Sequence, residues 1–397
     1  MKITAVKLIH VEGILEHQGN FWEERLVRPI DIYPEHRASG PPGYPPKVGE
    51  NRYRLQAVFV QIDTDEGVSG LGGPISEMEA FFIDRQLKPI VMGEDPRAVE
   101  AIWDKLYRFA VHGRKGLAMQ AISALDCTLW DIRGKWANAP LYRLLGGPTR
   151  ETIPAYASAL GYSLEPAAVK ARAKELVAQG YKAMKWFFRY SPSDGRVGIE
   201  KNLELARTLR EAVGDDIDIM LDSWMSWDVP YTIMMAERLA EYRPRWIEEP
   251  LLPDKIESYA QITKAVKIPI SGGEHEYTRW GFRALIEQKA LDILQPDIYW
   301  AGGVTEVMKI CTLASTYDLP VIPHGHSVPT AVHLIAAQPS TVCPLLEYLI
   351  KWNEINQFFL KYPVHPEGGV VTLSNRPGTG IDLDENKIQA RRELTWS

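Results

Sequence analysis

At 397 residues the chain exceeds the usual length of one domain. Its 45% hydrophobic and 24% charged residues, with 12 tryptophans, are those of a chain that folds around a sizeable core. A formal net charge of −6 offers no general attraction to phosphate backbones or anionic lipid, so neither nucleic acid nor a membrane surface is expected as a partner. Cys127, Cys311 and Cys343 lack metal-type or CxxC spacing. No apolar run approaches the roughly 18 residues of a membrane span, and the charged start MKITAVKLIHVEG lacks a secretory core; a reduced, cytoplasmic protein is expected.

The first elements read as strands, TAVKLIHVEGI and then a hairpin turning at Asp65, Glu66 and Gly67. Between them, residues from about 15 to 53 are rich in Pro, Gly and Arg and carry no periodicity, which marks a long loop of the kind that often covers a site. Three helical patterns follow, near 76–91, 97–110 and 116–137. Together, residues 1–140 predict an α+β capping domain with a lid.

From about residue 150 short apolar runs alternate with amphipathic stretches, the rhythm of consecutive βα units. The runs fall at 153–158, 183–188, 216–222, 245–250, 268–274, 292–297, 319–324 and 344–349. Eight such units over 141–365 predict an α/β fold, a (β/α)8-type barrel. The last helix is poorly marked in KWNEINQFFLKYP, and residues 366–397 are expected to return to the cap as extended chain.

Barrels of this kind carry their chemistry where strands end. Here the third run ends on Asp222, the fourth on Glu248 and Glu249, the fifth on Glu274, the sixth on Asp297 and the seventh on His324, while the eighth carries Glu347. The spacings 248 − 222 = 26 and 274 − 248 = 26 are one βα unit each, so three carboxylates would meet at one mouth. Like charges there repel unless they share a cation, and all-oxygen ligation suits Mg²⁺. Asp297 and His324 are again one unit apart, 324 − 297 = 27. A carboxylate beside an imidazole fixes its tautomer and raises its basicity, which makes a general base. A cation facing a base suits proton abstraction beside a carboxylate.

These residues, in this order, resemble the enolase superfamily, specifically its mandelate racemase branch, over essentially the whole chain. The resemblance implies one Mg²⁺ per subunit on Asp222, Glu248 and Glu274, a His324–Asp297 dyad, Glu347 opposite the substrate carboxylate, and assembly as a homo-oligomer. Within the branch the segments GRKG, DSWMSWDV, WIEEPLLPD, GEHEYTRWGFR, QPDIYWAGGVTE and VIPHGHS most resemble the L-rhamnonate dehydratase group, which implies dehydration of an acid sugar and a substrate contact for His275. Racemases of the branch carry Lys-x-Lys at the end of the second strand; here the run is MKWFFRY, so Lys185 takes the first place and Phe187 the second. Phe187 accepts no proton, which disfavours two-base racemisation, while Lys185 remains a candidate for the substrate carboxylate. The lid shares YPEHR with the group but carries an extra Pro-rich segment, and Arg37, Arg52 and Arg54 are its candidate substrate contacts. An epimerase or cycloisomerase on the same scaffold, and a sugar-acid binding protein without turnover, are the alternatives.

Overall fold

A computed structural model describes residues 1–396. The N-terminal part is an antiparallel sheet built from β1 (Ile3–Glu16), β2 (Lys47–Gly49), β3 (Arg52–Thr64) and β4 (Ser69–Ile75). The β1–β3 ladder runs almost the full length of both strands, from Ile3 opposite Thr64 to Glu16 opposite Arg52. It delivers both ends of the intervening lid to the same edge. The expected hairpin and three helical regions are present, the last as one helix over Leu117–Trp136.

That helix is buried on nearly every side because it joins cap to barrel. Ser123 Oγ accepts the Gly302 N–H at 2.9 Å and Asp126 Oδ2 accepts that of Thr305 at 3.0 Å. Asp131, fully buried, accepts the Leu71 N–H at 2.9 Å and the Thr379 N–H at 2.8 Å, so one carboxylate ties the cap sheet, the helix and the C-terminal segment together.

The barrel strands are β5 (Thr152–Ser158), β6 (Ala183–Phe187), β7 (Asp218–Asp222), β8 (Trp246–Glu248), β9 (Ile270–Gly272), β10 (Ile293–Leu294) and β11 (Leu346–Leu349). They form one parallel sheet in the order β10-β9-β8-β7-β6-β5-β11. The strand expected at 319–324 is reduced to a single bridge between Val321 and Leu294. Pro320 and Pro323 flank that bridge, and neither has an N–H to extend a ladder. The C-terminal segment first adds β12 (Val370–Thr372) to the outer end of β5 and then reaches the cap, at Thr379 on Asp131 and as β13 (Ala390–Glu393) beside β1. The last helix is a short one over Ile350–Asn356. Among the described residues no helix is long and apolar enough to cross a membrane.

His333 sits in the seam between barrel and C-terminal segment, its Nδ1 accepting the Tyr142 N–H at 3.3 Å and its Nε2 donating to the Thr379 carbonyl at 3.1 Å. Burial holds its pKa down from 6.5 to about 4. The unfolded ring takes a proton that the folded ring refuses, so this contribution to stability is complete above about pH 6.5 and is lost as pH falls toward 4. Denaturant titrations at pH 7 and pH 4.5 are expected to differ by on the order of 2 kcal/mol from this group, and His333→Gln should shrink the difference. An unchanged difference would show that the ring is not neutral inside.

Candidate active site

Register sets the height of each functional side chain. Phe187 lies opposite Asp222, and Asp222 opposite Glu248, so the ends of β6, β7 and β8 are level at one mouth. Lys185, two residues before the end of β6, points inward and is almost wholly buried. Its Nζ lies 2.7 Å from Glu347 Oε1 and 3.4 Å from Asp222 Oδ2, and it also hydrogen-bonds Glu248. The other oxygen of Glu248 accepts from Trp246 Nε1 and Gln295 Nε2, both at 2.9 Å. Lys185 thus lies among three of the predicted acids.

On the opposite side His324 Nδ1 is 2.8 Å from Asp297 Oδ2, and the second Asp297 oxygen accepts the Tyr299 N–H at 2.7 Å. With Nδ1 occupied, Nε2 faces the mouth, 3.4 Å from Glu274 Oε2. Glu347 holds the Gly325 N–H at 2.9 Å, next to that histidine. The structure therefore brings Lys185, Asp222, Glu248, Glu274, Asp297, His324 and Glu347 around one space.

Glu249 belongs to this group although no role was expected of it. A residue that follows an inward-facing one in a strand turns outward, but Glu249 has φ of 39°, in the left-handed region, and is 3% exposed. Its carboxylate accepts the Gly273 N–H at 3.2 Å and lies 2.8 Å from His275 Nδ1. Trp224 and Met225, just beyond Asp222, also have positive φ, at 38° and 62°. Strained backbone of this kind gathers at sites whose geometry is over-determined.

The electrostatics show a shortage of positive charge. Asp222, Glu248, Glu249, Glu274, Asp297 and Glu347 are all buried, and Lys185 is the buried lysine that stands among them. Burial and the neighbouring Glu248 push the Asp222 carboxyl well up from its ordinary value. Burial and Glu249 raise Glu274 to about 7 in spite of His324 and His275. Burial alone would drive His324 neutral, yet Glu274, Asp297 and Glu347 outweigh it and hold the ring up at about 10. Lys185 is likewise raised, since Glu248 and Glu347 overcome its burial.

These donors suit a hard divalent cation. One ligand atom from each of Glu249, Glu274 and His275 lies within 4.8 Å of the other two. Asp222 and Glu248, the other predicted ligands, are drawn to Lys185 at the same mouth. A cavity of about 680 Å³ opens over the site, bounded by Asp222, His324 and His275 below and by Trp22, Arg25 and Arg28 of the lid above. Of the candidate substrate contacts, Lys185 and His275 line this cavity, while Arg37, Arg52 and Arg54 do not. Arg37 donates to the Ser193 carbonyl at 2.6 Å, and Arg52 and Arg54 lie exposed along β3. The lid arginines that reach the cavity are Arg25 and Arg28, both paired with Asp31.

Comparison with known proteins gives the class. Residues 48–146 match the mandelate racemase / muconate lactonizing enzyme N-terminal domain, and residues 168–387 match the enolase C-terminal domain-like family. The chain belongs to the enolase superfamily, in its mandelate racemase branch, and is an enzyme of that superfamily. Among its relatives, an L-rhamnonate dehydratase of Saccharopolyspora erythraea is 34% identical, with 99% of each chain covered. The structure of a rhamnonate dehydratase from Gibberella zeae complexed with Mg superposes with a TM-score of 0.83 at 32% identity, covering 97% of this chain and 95% of that one. That of a 3,6-anhydro-D-galactonate cycloisomerase from Zobellia galactanivorans gives 0.79 at 30%, covering 98% of each.

Removing Lys185 leaves three buried acids with no cation. Lys185→Met is therefore expected to lower the stability of chelator-treated protein by about 3–5 kcal/mol, and added Mg²⁺ should restore more stability to the variant than to the parent. Thermal unfolding with and without Mg²⁺ measures both; equal Mg²⁺ effects would show that the acids and the ion do not meet.

Proposed function

We propose that this enzyme is an Mg²⁺-dependent acid-sugar dehydratase, similar to L-rhamnonate dehydratases, that converts an aldonate to a 2-keto-3-deoxy acid. The observation that carries this proposal is the His324–Asp297 pair facing Lys185 and the acid cluster, with Phe187 where a second base would stand. Named L-rhamnonate dehydratases among the full-length relatives support it.

Asp222, Glu248 and Glu274 would hold the cation, which supplies Lewis-acid stabilisation of the charge that develops on the substrate carboxylate. Lys185, which lines the cavity, would hold that carboxylate as well. Asp297 keeps Nδ1 of His324 protonated and the ring in place, so that Nε2, which faces the mouth, is the atom that would take the C2 proton. The C2–H electrons then form the C1–C2 double bond of an enediolate. Collapse of that species expels the C3 hydroxyl, which leaves as water with the proton His324 has just acquired. The resulting enol takes a proton at C3 as its C2 hydroxyl gives one up to solvent, and becomes the 2-keto acid.

One histidine thus serves both proton transfers on one face. His275, buttressed by Glu249, and the Trp224 and Trp300 rings beside it would bound the pocket that receives the substrate hydroxyls. A cycloisomerase reading has support of its own, since the Zobellia enzyme shares the fold over almost the whole chain. It requires a substrate in which a ring oxygen leaves carbon, or an internal nucleophile adds to it, in place of water loss.

A library of aldonic acids incubated with Mg²⁺ should yield a keto acid from at least one member, with none formed in the presence of a chelator. In D₂O the dehydration product should carry deuterium at C3. Recovery of substrate deuterated at C2 with no water lost would instead establish an epimerase, and ring opening or closure without loss of water a cycloisomerase. His324→Asn should lower kcat by at least about 10³-fold while the variant still binds the acid; unchanged turnover would exclude His324 as the base.

A further inference from the structure

Lys351 lies in the first turn after β11, four residues beyond Glu347, and is 2% exposed. A buried ammonium has three donors to satisfy, and here each meets an oxygen. Lys351 Nζ donates to the Phe21 carbonyl at 2.6 Å, to the Gly161 carbonyl at 3.0 Å and to Glu23 Oε1 at 3.3 Å. The same Gly161 carbonyl accepts the Glu23 N–H at 2.8 Å and the Glu24 N–H at 3.3 Å. The Tyr162 ring lies 4.2 Å from the ammonium. Phe21 and Glu23 belong to the lid, Gly161 to the loop after β5, and Lys351 to the helix after β11.

The segment held in this way carries Trp22. Its ring lies 5.4 Å from that of Trp352, tilted by 55°, and both line the cavity over the site with Arg25 and Arg28. Gly161 has φ of +84°, and a Cβ there would come within 2.1 Å of the Trp22 ring, so the indole is pressed against bare backbone. Farther along, Val27 N–H bonds the Phe188 carbonyl at 2.8 Å. Removing the ammonium would take from the buried Phe21 carbonyl the donor it has here, while the Gly161 carbonyl would keep the Glu23 and Glu24 N–H groups and the exposed Glu23 carboxylate would turn to water.

We propose that Lys351 is a positioning residue: it fixes the Phe21–Glu24 stretch of the lid to the barrel so that Trp22 and the lid arginines stand over the bound acid. It touches neither the acid cluster nor the His324–Asp297 pair, so it acts on substrate affinity and leaves the proton transfers alone. The kinetic part rests on the proposed dehydratase activity; the ordering of the lid does not.

The test uses full-length Lys351→Met and Lys351→Arg. In Lys351→Met, amide hydrogen exchange of residues 21–28 should rise about tenfold or more while β11 and β7 exchange as in the parent. For the aldonate that the parent converts, KM should rise about tenfold with kcat within about threefold, and Lys351→Arg should recover part of the loss. Unchanged lid exchange in Lys351→Met overturns the proposal, as does a fall in kcat at constant KM. If no aldonate is converted, the exchange result decides alone and the failure falls on the proposed activity. If Lys351→Met does not fold, Gly161→Ala displaces Trp22 from the other side; raised exchange of residues 21–28 supports the proposal, and parent-like exchange overturns it.

Discussion

Unbalanced negative charge at the barrel mouth is the constraint on which the rest depends. Six carboxylates are withdrawn from water there, and one buried lysine stands among them. Burying a charge without a partner costs several kcal/mol, and what offsets it here is Lys185, side-chain donors such as Trp246, Gln295 and His275, backbone N–H groups such as those of Gly325 and Gly273, and the protons that Glu274 and His324 retain. A divalent ion relieves the same excess. The acidity of this mouth suits a hard cation, and on the proposed function it would tie the ionisation of His324 to binding of that cation.

Much of this was legible in the sequence because strand ends leave a mark. An apolar run that stops at an acid or histidine, repeated every 26 or 27 residues, places Asp222, Glu248, Glu274, Asp297 and His324 one strand apart. What escaped has physical reasons. Glu249 lies beside a predicted ligand, yet the sign of its φ, which turns the side chain back to the mouth, has no signature in residue type. The strand expected at 319–324 has the right apolar pattern, but Pro320 and Pro323 remove the donors a ladder needs. That signal was present in the run itself.

The lid was the least legible part. With no period between residues 17 and 51, nothing in the sequence says which arginine faces inward. Arg37, Arg52 and Arg54 look outward or serve the backbone, while Arg25 and Arg28 reach the cavity through their pairing with Asp31. The anchor of the lid comes from the far end of the chain, where Lys351 follows the strand of Glu347. Barrel and lid are thus set by neighbouring residues of one strand end, which keeps the cover in register with the chemistry beneath it.

The most direct measurement is a calorimetric titration of Mg²⁺ into chelator-treated protein near pH 8, repeated in two buffers of different ionisation enthalpy. One saturable site per chain is expected, with a buffer-dependent heat that reports proton release, because a cation on Glu274 removes the charge that keeps His324 and its acid neighbours protonated. Absence of saturable binding, or a heat that is the same in both buffers, would contradict the coupling of cation and base on which the account is built.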